Sequence, residues 1–232
     1  MMMKHALVAL LLAAPVFAHA GGSYLSATQV NQAMAALPAP SAPGSAEDLA
    51  DYATADRAFA ARSAVDFERA QQEEKFDVFD FASVIGPGFR ADKLPHVAAL
   101  FKEAEHETKE AVDLSKNHWK RPRPCPPASS CALHPEQAAK KSFGYPSGHS
   151  SRATVDAILL VQLFPQDADA IMQQSRDIGW RRVVKGVHTL QDIYAGREFG
   201  QALAGDMLAS PALRQDLADA RAELEAAGLV SH

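Results

Sequence analysis

The chain is short of several features that define common protein classes. Only two of its 232 residues are cysteine and two are tryptophan, too few thiols for a disulfide-dense scaffold or a four-cysteine zinc module. It has no His-Glu-x-x-His pattern and no carboxylate cluster suited to a two-metal centre. No stretch of strand length alternates apolar and polar residues, so no sheet is expected. Beyond the N-terminus the most apolar run, residues 155–164, is about half the length of a membrane span and carries Asp156 and Gln162. Basic charge is in deficit, with 23 Lys+Arg against 28 Asp+Glu, which argues against a broad nucleic-acid or membrane surface.

The first twenty residues read as a targeting segment. Lys4 and His5 precede an apolar stretch over residues 6–17 that ends in Ala18-His19-Ala20, a secretory signal with an A-x-A site. Cleavage is predicted after Ala20. No cysteine precedes Cys125, so no lipid anchor is expected near that point, and the periplasm is the expected compartment. In an oxidising compartment Cys125 and Cys131, flanking Pro-Pro-Ala-Ser-Ser, read as one disulfide closing a short loop, because a metal pair would want a C-x2–4-C spacing.

The rest reads as helices. Residues 21–45 form an N-terminal segment with a Pro-rich linker, and residues 46–232 the main domain. Ser45, with Asp48 three places on, predicts a capping box opening a helix to about Lys75. Pro95 predicts the first turn of a helix to about His118. The prolines of residues 121–128 force an extended path. Further helices are predicted from Ser147 to Phe164, Asp167 to about Lys185, Thr189 to Leu208, and from Ser210-Pro211 to Gly228. The fold class is all-α: a single-domain helical bundle with the active site between helices.

Three segments concentrate cationic and imidazole side chains in this acidic chain. The first, 116–124 (KNHWKRPRP), lies in a stretch with no acid between Ser115 and Pro135; alone it is compatible with a solvated basic surface. The second, Pro146-Ser147-Gly148-His149, stands at a predicted helix start, where free N–H groups can hold an anion and Gly148 admits close backbone approach; alone it is an ordinary Ser cap. In the third, 182–192, Asp192 lies one helical turn after His188. That spacing allows the carboxylate to hold one imidazole nitrogen and leave the other outward as a nucleophile. It equally allows a cap acid paired with Thr189 and a core histidine.

In this order and spacing the segments resemble the three-part signature of the type 2 phosphatidic acid phosphatase superfamily, K-x6-R-P, P-S-G-H and S-R-x5-H-x3-D. Lys116, Arg123-Pro124, Pro146 to His149, Arg182, His188 and Asp192 occupy the matching places, and Arg181 stands where the signature has Ser. The stretch from Asp51 to Pro124, with Arg57, Arg62, Asp66 and an aromatic middle, looks like the soluble bacterial class A non-specific acid phosphatases.

The resemblance implies that Lys116, Arg123 and Arg182 bind phosphate oxygens with Ser147 and Gly148. His188 would be the nucleophile, oriented by Asp192, and His149 the acid for the leaving alcohol. No cofactor and no metal are implied. Expected partners are small phosphate monoesters such as nucleotides, sugar phosphates or aryl phosphates, without nucleic acid or membrane; a homo-oligomer is compatible with this. A phosphotransferase or vanadate-dependent haloperoxidase using the same pocket, and a non-catalytic periplasmic anion-binding protein, are the competing expectations.

Overall fold

A computed structural model describes residues 22–124 and 142–230. The predicted signal peptide and the Cys125–Cys131 pair lie outside the described residues. The described chain is all helical, as expected: α1 Ala27–Ala36, α2 Ala46–Ala60, α3 Ala64–Gln72, the short α4 Ala82–Ile85, α5 Pro95–Trp119, α6 Gly148–Leu163, α7 Ala168–Val184, α8 Leu190–Ala209 and α9 Pro211–Ala226, with single 3-10 turns at Glu73–Lys75, Val78–Phe81 and Pro165–Asp167. No described helix is long and apolar enough to cross a membrane.

Local chemistry sets most of the boundaries. Ser26, Ser45, Ser63, Ser147 and Thr189 each accept a backbone N–H of the following first turn, and Pro95 and Pro211 open α5 and α9. The helix expected from Ser45 to about Lys75 is broken at residues 61–63, because Ser63 caps a new helix by accepting from Asp66 N at 3.0 Å. The capping box at Ser45 is half formed. Ser45 accepts from Asp48 N, but the Asp48 carboxylate accepts from Gly44 N at 2.9 Å and turns its other oxygen to Arg121.

The bundle is built round α6, which packs on α8, α7 and α5. Its core joins Leu100 and Phe101 of α5, Leu159 and Leu160 of α6, Ile171 and Ile178 of α7, Phe199 and Leu203 of α8, and Leu213 and Leu224 of α9. Tyr24, Leu25, Ala33 and Leu37 from the N-terminal segment belong to the same core.

The α6–α8 crossing depends on two glycines one turn apart. A Cβ at Gly196 would lie 2.6 Å from the Ser147 carbonyl oxygen, and one at Gly200 would lie 2.5 Å from that of Ser151. Only glycine lets the helices approach this closely, and the approach sets the start of α6 beside the start of α8. Ser147 N donates to the Asp192 carbonyl at 2.9 Å, which fixes that juxtaposition. At the end of α5, Lys120 takes the left-handed conformation (φ 52°) and turns residues 121–124 back over the same region.

Candidate active site

The ends of α5, α6, α7 and α8 meet at a cleft of about 270 Å3 lined by Glu74, Lys116, Arg123, Gly148, His149, Arg182, Lys185, Val187 and His188. Six of the eight residues expected to bind phosphate or act chemically are therefore in its wall. Asp192 lies behind His188, fully buried. Ser147 is also fully buried; its hydroxyl caps α6 by accepting from Ser150 N at 3.4 Å, and it does not line the cleft.

His188 Nδ1 is 3.2 Å from Asp192 Oδ2, and His188 Nε2 is 3.1 Å from Arg123 Nη1. A guanidinium can only donate, so Nε2 is the acceptor and the proton sits on Nδ1, donated to Asp192. The geometry thus selects the tautomer whose Nε2 lone pair faces the cleft. Asp192 serves two ends: it accepts from Thr189 N at 3.0 Å in a complete capping box of α8 and holds the imidazole with the same oxygen. The two roles that are alternatives in the sequence coexist.

The sequence alone does not single out Arg121 for the site. It donates to Asp192 Oδ1 at 2.7 Å, Thr189 Oγ1 at 2.7 Å, Asp48 Oδ1 at 3.0 Å and Asp51 Oδ2 at 2.9 Å. Arg121 thereby ties α2 to α8 behind His188. Its only sequence signal is membership of the basic segment, and its partners lie about 70 residues away.

His149 Nε2 lies 3.0 Å from the Glu73 carbonyl oxygen, an acceptor only, so Nε2 carries a proton. Arg182 donates Nη1 to that oxygen at 3.3 Å and Nη2 to the Ala70 carbonyl at 2.9 Å. Arg182 Nε, buried, has no hydrogen-bond partner among the described residues. The 3-10 turn Glu73–Lys75 is held over the cleft by ion pairs: Arg181 grips the Glu73 carboxylate with Nε at 2.8 Å and Nη2 at 2.6 Å, and Lys185 Nζ lies 3.2 Å from Glu74 Oε2. Arg181, the departure from the signature, is thus turned to this strap. Arg57, Arg62 and Asp66 do not line the cleft.

The electrostatics follow from crowding cations in a buried place. Burial, then Arg123, Lys116 and Arg182, hold His188 well below the ordinary imidazole value. Burial, then Arg182 and Arg152, do the same to His149. Lys116 is lowered to about 8 by burial and by Arg123, and Arg182 to about 10, chiefly by burial. Burial raises Asp192, with Arg121 opposing. The described residues include no group of three or more His, Cys, Asp or Glu placed to hold a metal.

Residues 108–214 match the model of the PAP2 superfamily. The chain is 30% identical over 155 residues to an acid phosphatase of Zymomonas mobilis, covering 66% of this chain and 59% of that protein. It is 32% identical over 116 residues to a non-specific acid phosphatase of Salmonella typhi, covering 49% and 46%, and 23% identical over 207 residues to one of Providencia stuartii, covering 86% and 84%. The match spans about half the length of the first two relatives. Among solved structures the fold is similar to a transmembrane PAP2-type phosphatidylglycerolphosphate phosphatase of Bacillus subtilis, at TM-score 0.50 and 19% identity, covering 77% of this chain and 90% of that one. The signature residues Lys116 to Asp192 all fall within the segment that matches the PAP2 superfamily, and the chain is similar to bacterial acid phosphatases.

Proposed function

We propose that the protein is a periplasmic, metal-independent acid phosphatase that hydrolyses phosphate monoesters through a phosphohistidine on His188. The observation that carries this reading is the placement of His188: Nδ1 lies 3.2 Å from Asp192 Oδ2 and Nε2 lies 3.1 Å from Arg123 Nη1, in the wall of a cleft shared with Lys116 and Arg182. Phosphoryl transfer asks for positive charge round the equatorial oxygens, an in-line nucleophile and an acid for the leaving oxygen. Three cations and the backbone at Gly148 supply the first. A Cβ at residue 148 would stand 3.4 Å from Val112 Cγ1 and 3.7 Å from Lys116 Nζ, so the Gly148 backbone lies close beside one of those cations.

The dianionic ester offsets the charge of Arg182 and Arg152 and allows His149 to take up a second proton. His188 Nε2 attacks phosphorus while the ester P–O bond breaks, and His149 gives its proton to the leaving oxygen. Asp192 stabilises the resulting positive phosphoimidazole through Nδ1–H. Water then attacks phosphorus, His149 takes its proton, the N–P bond breaks, and phosphate leaves.

The test is hydrolysis of p-nitrophenyl phosphate at mildly acid pH with excess EDTA, paired with acid-labile phosphoenzyme trapping. Full activity with chelator and 32P on His188, lost in His188→Ala, is the expected result. Turnover that vanishes with EDTA and returns with zinc or magnesium, or phosphate trapped on another residue, refutes the mechanism.

A further inference from the structure

Among the described residues, the cleft wall contains one cation that the phosphate-binding signature does not include. Lys185, at the C-terminal cap of α7, is buried (6% exposed) yet lines the cleft, three residues after Arg182. Residues three apart share one helical face, so the two cations stand side by side. Lys185 is satisfied by Glu74, whose side chain is half exposed (52%) while that of Lys185 is not (8%). Glu74 is therefore the solvent-facing member of the pair, and Lys185 the buried one.

The place in the cleft is set as well. The Glu73 carbonyl takes both His149, the acid for the leaving oxygen, and Arg182, so the Glu73–Lys75 turn borders the point where phosphate and leaving group meet. Charge points the same way. With Lys185 and Glu74 cancelling, Lys116, Arg123 and Arg182 outnumber the two charges of a phosphate monoester. A second anion on the leaving group would complete that balance and could replace Glu74 on Lys185 without leaving any buried charge alone.

We propose that Lys185 binds a second anionic group carried by the leaving group, with Glu74 as its exchangeable counter-ion, so that the favoured esters bear a further phosphate or carboxylate one or two atoms beyond the scissile phosphate. This rests on the phosphatase reading in one respect only, the assignment of His149 to the leaving-group side.

The experiment measures binding, not turnover. The full chain is titrated calorimetrically with inorganic phosphate, methylenediphosphonate and phosphonoacetate. Methylenediphosphonate should bind about tenfold or more tighter than phosphate, the scale of one charge-assisted hydrogen bond. Lys185→Met should remove that preference, Lys185→Arg should keep most of it and guard against a folding artefact, and Glu74→Gln should enlarge it. Phosphonoacetate sharing the preference means that any second anion is read; methylenediphosphonate alone showing it means a second phosphoryl group. Equal ratios in wild type and Lys185→Met with both variants folded, or weaker methylenediphosphonate binding in Glu74→Gln, overturns the proposal. p-Nitrophenyl phosphate hydrolysis is scored separately, so an inactive protein with the preference intact would sink the phosphatase reading and leave only the two-anion binding site on Lys185 standing.

Discussion

Arg121→Met removes the guanidinium on which three carboxylates converge, those of Asp48, Asp51 and Asp192, whose side chains are 9%, 9% and 0% exposed. Removing one partner of a buried ion pair typically costs about 3–5 kcal/mol, because the other charge is left in a poor solvent. Three shared partners argue for the upper half of that range. The remaining donors, Gly44 N to Asp48, Gln191 N to Asp51 and Thr189 N to Asp192, keep it from going higher. For a domain of this size the loss corresponds to a Tm lower by about 8–20 °C near neutral pH. The pH dependence has a definite sign. Burial already holds Asp192 above its ordinary value, and Arg121 is the strongest influence opposing it. Without Arg121 the folded-state value rises further, so the folded form holds a proton that the unfolded form has released. Stability from this group is then full below the unfolded carboxyl value, about 3.9, and is lost as pH rises through the folded one. The deficit of the variant should accordingly be smaller near pH 5 than near pH 7.5. Thermal melts by circular dichroism at the two pH values, alongside p-nitrophenyl phosphate turnover, measure all of this. A Tm within about 2 °C of wild type at both, or a deficit larger on the acid side, would refute the account of Arg121 as the buried counter-ion.

Lys116, lowered to about 8, should lose its proton and its hold on anions as pH rises through that value, so the affinity for inorganic phosphate measured by calorimetry should fall near pH 8; Lys116→Arg should move that fall upward, and an unmoved fall would assign it elsewhere. Gly200→Ala drives a Cβ against the Ser151 backbone and should lower Tm by about 2–12 °C, as overpacking does; Gly196→Ala, which presses on Ser147, should lower turnover as well, and equal activity in the two variants would contradict that. Asp156 is fully buried in α6 with neither oxygen hydrogen-bonded among the described residues, and burial, then Glu105, hold it well above its ordinary value. Its contribution therefore falls as pH rises, and Asp156→Asn should raise Tm near pH 7.5 more than near pH 5; a uniform shift would show that no titration is involved.

The parts of this protein that can be read in the sequence are those whose partners lie close in the chain. Serine and threonine caps bond three residues ahead, so most helix starts are visible. The break at residues 61–63 carries the same signal, Ser63 with Asp66, but the apolar pattern continues through it and masks it. His188 and Asp192 are one turn apart, and Lys116 and Arg123 lie at either side of one helix end. The long-range contacts carry no such mark. Arg121 meets Asp48 and Asp51 across about 70 residues, His149 meets a backbone carbonyl that has no residue identity, and Gly196 and Gly200 show their purpose only once α6 lies against them.

Arg181 shows why a departure from a signature is hard to value from the sequence alone. A serine at that position would offer one hydroxyl to the site; the arginine instead reaches outward to Glu73 and makes a two-pronged pair, which a shorter side chain could not. Glu73 in turn sets its own carbonyl against His149 and Arg182. The substitution therefore touches the site through the backbone of a turn some 108 residues earlier in the chain, with Lys185 and Glu74 making the second tie of the same strap. The cations that suit the cleft to a dianion also depress both histidines; in the proposed mechanism His188 therefore attacks as the neutral imidazole, and His149 takes its second proton with the anion bound. Acidic conditions favour the second requirement, and burial with the cations secures the first. One set of charges thereby serves binding, nucleophile and acid together.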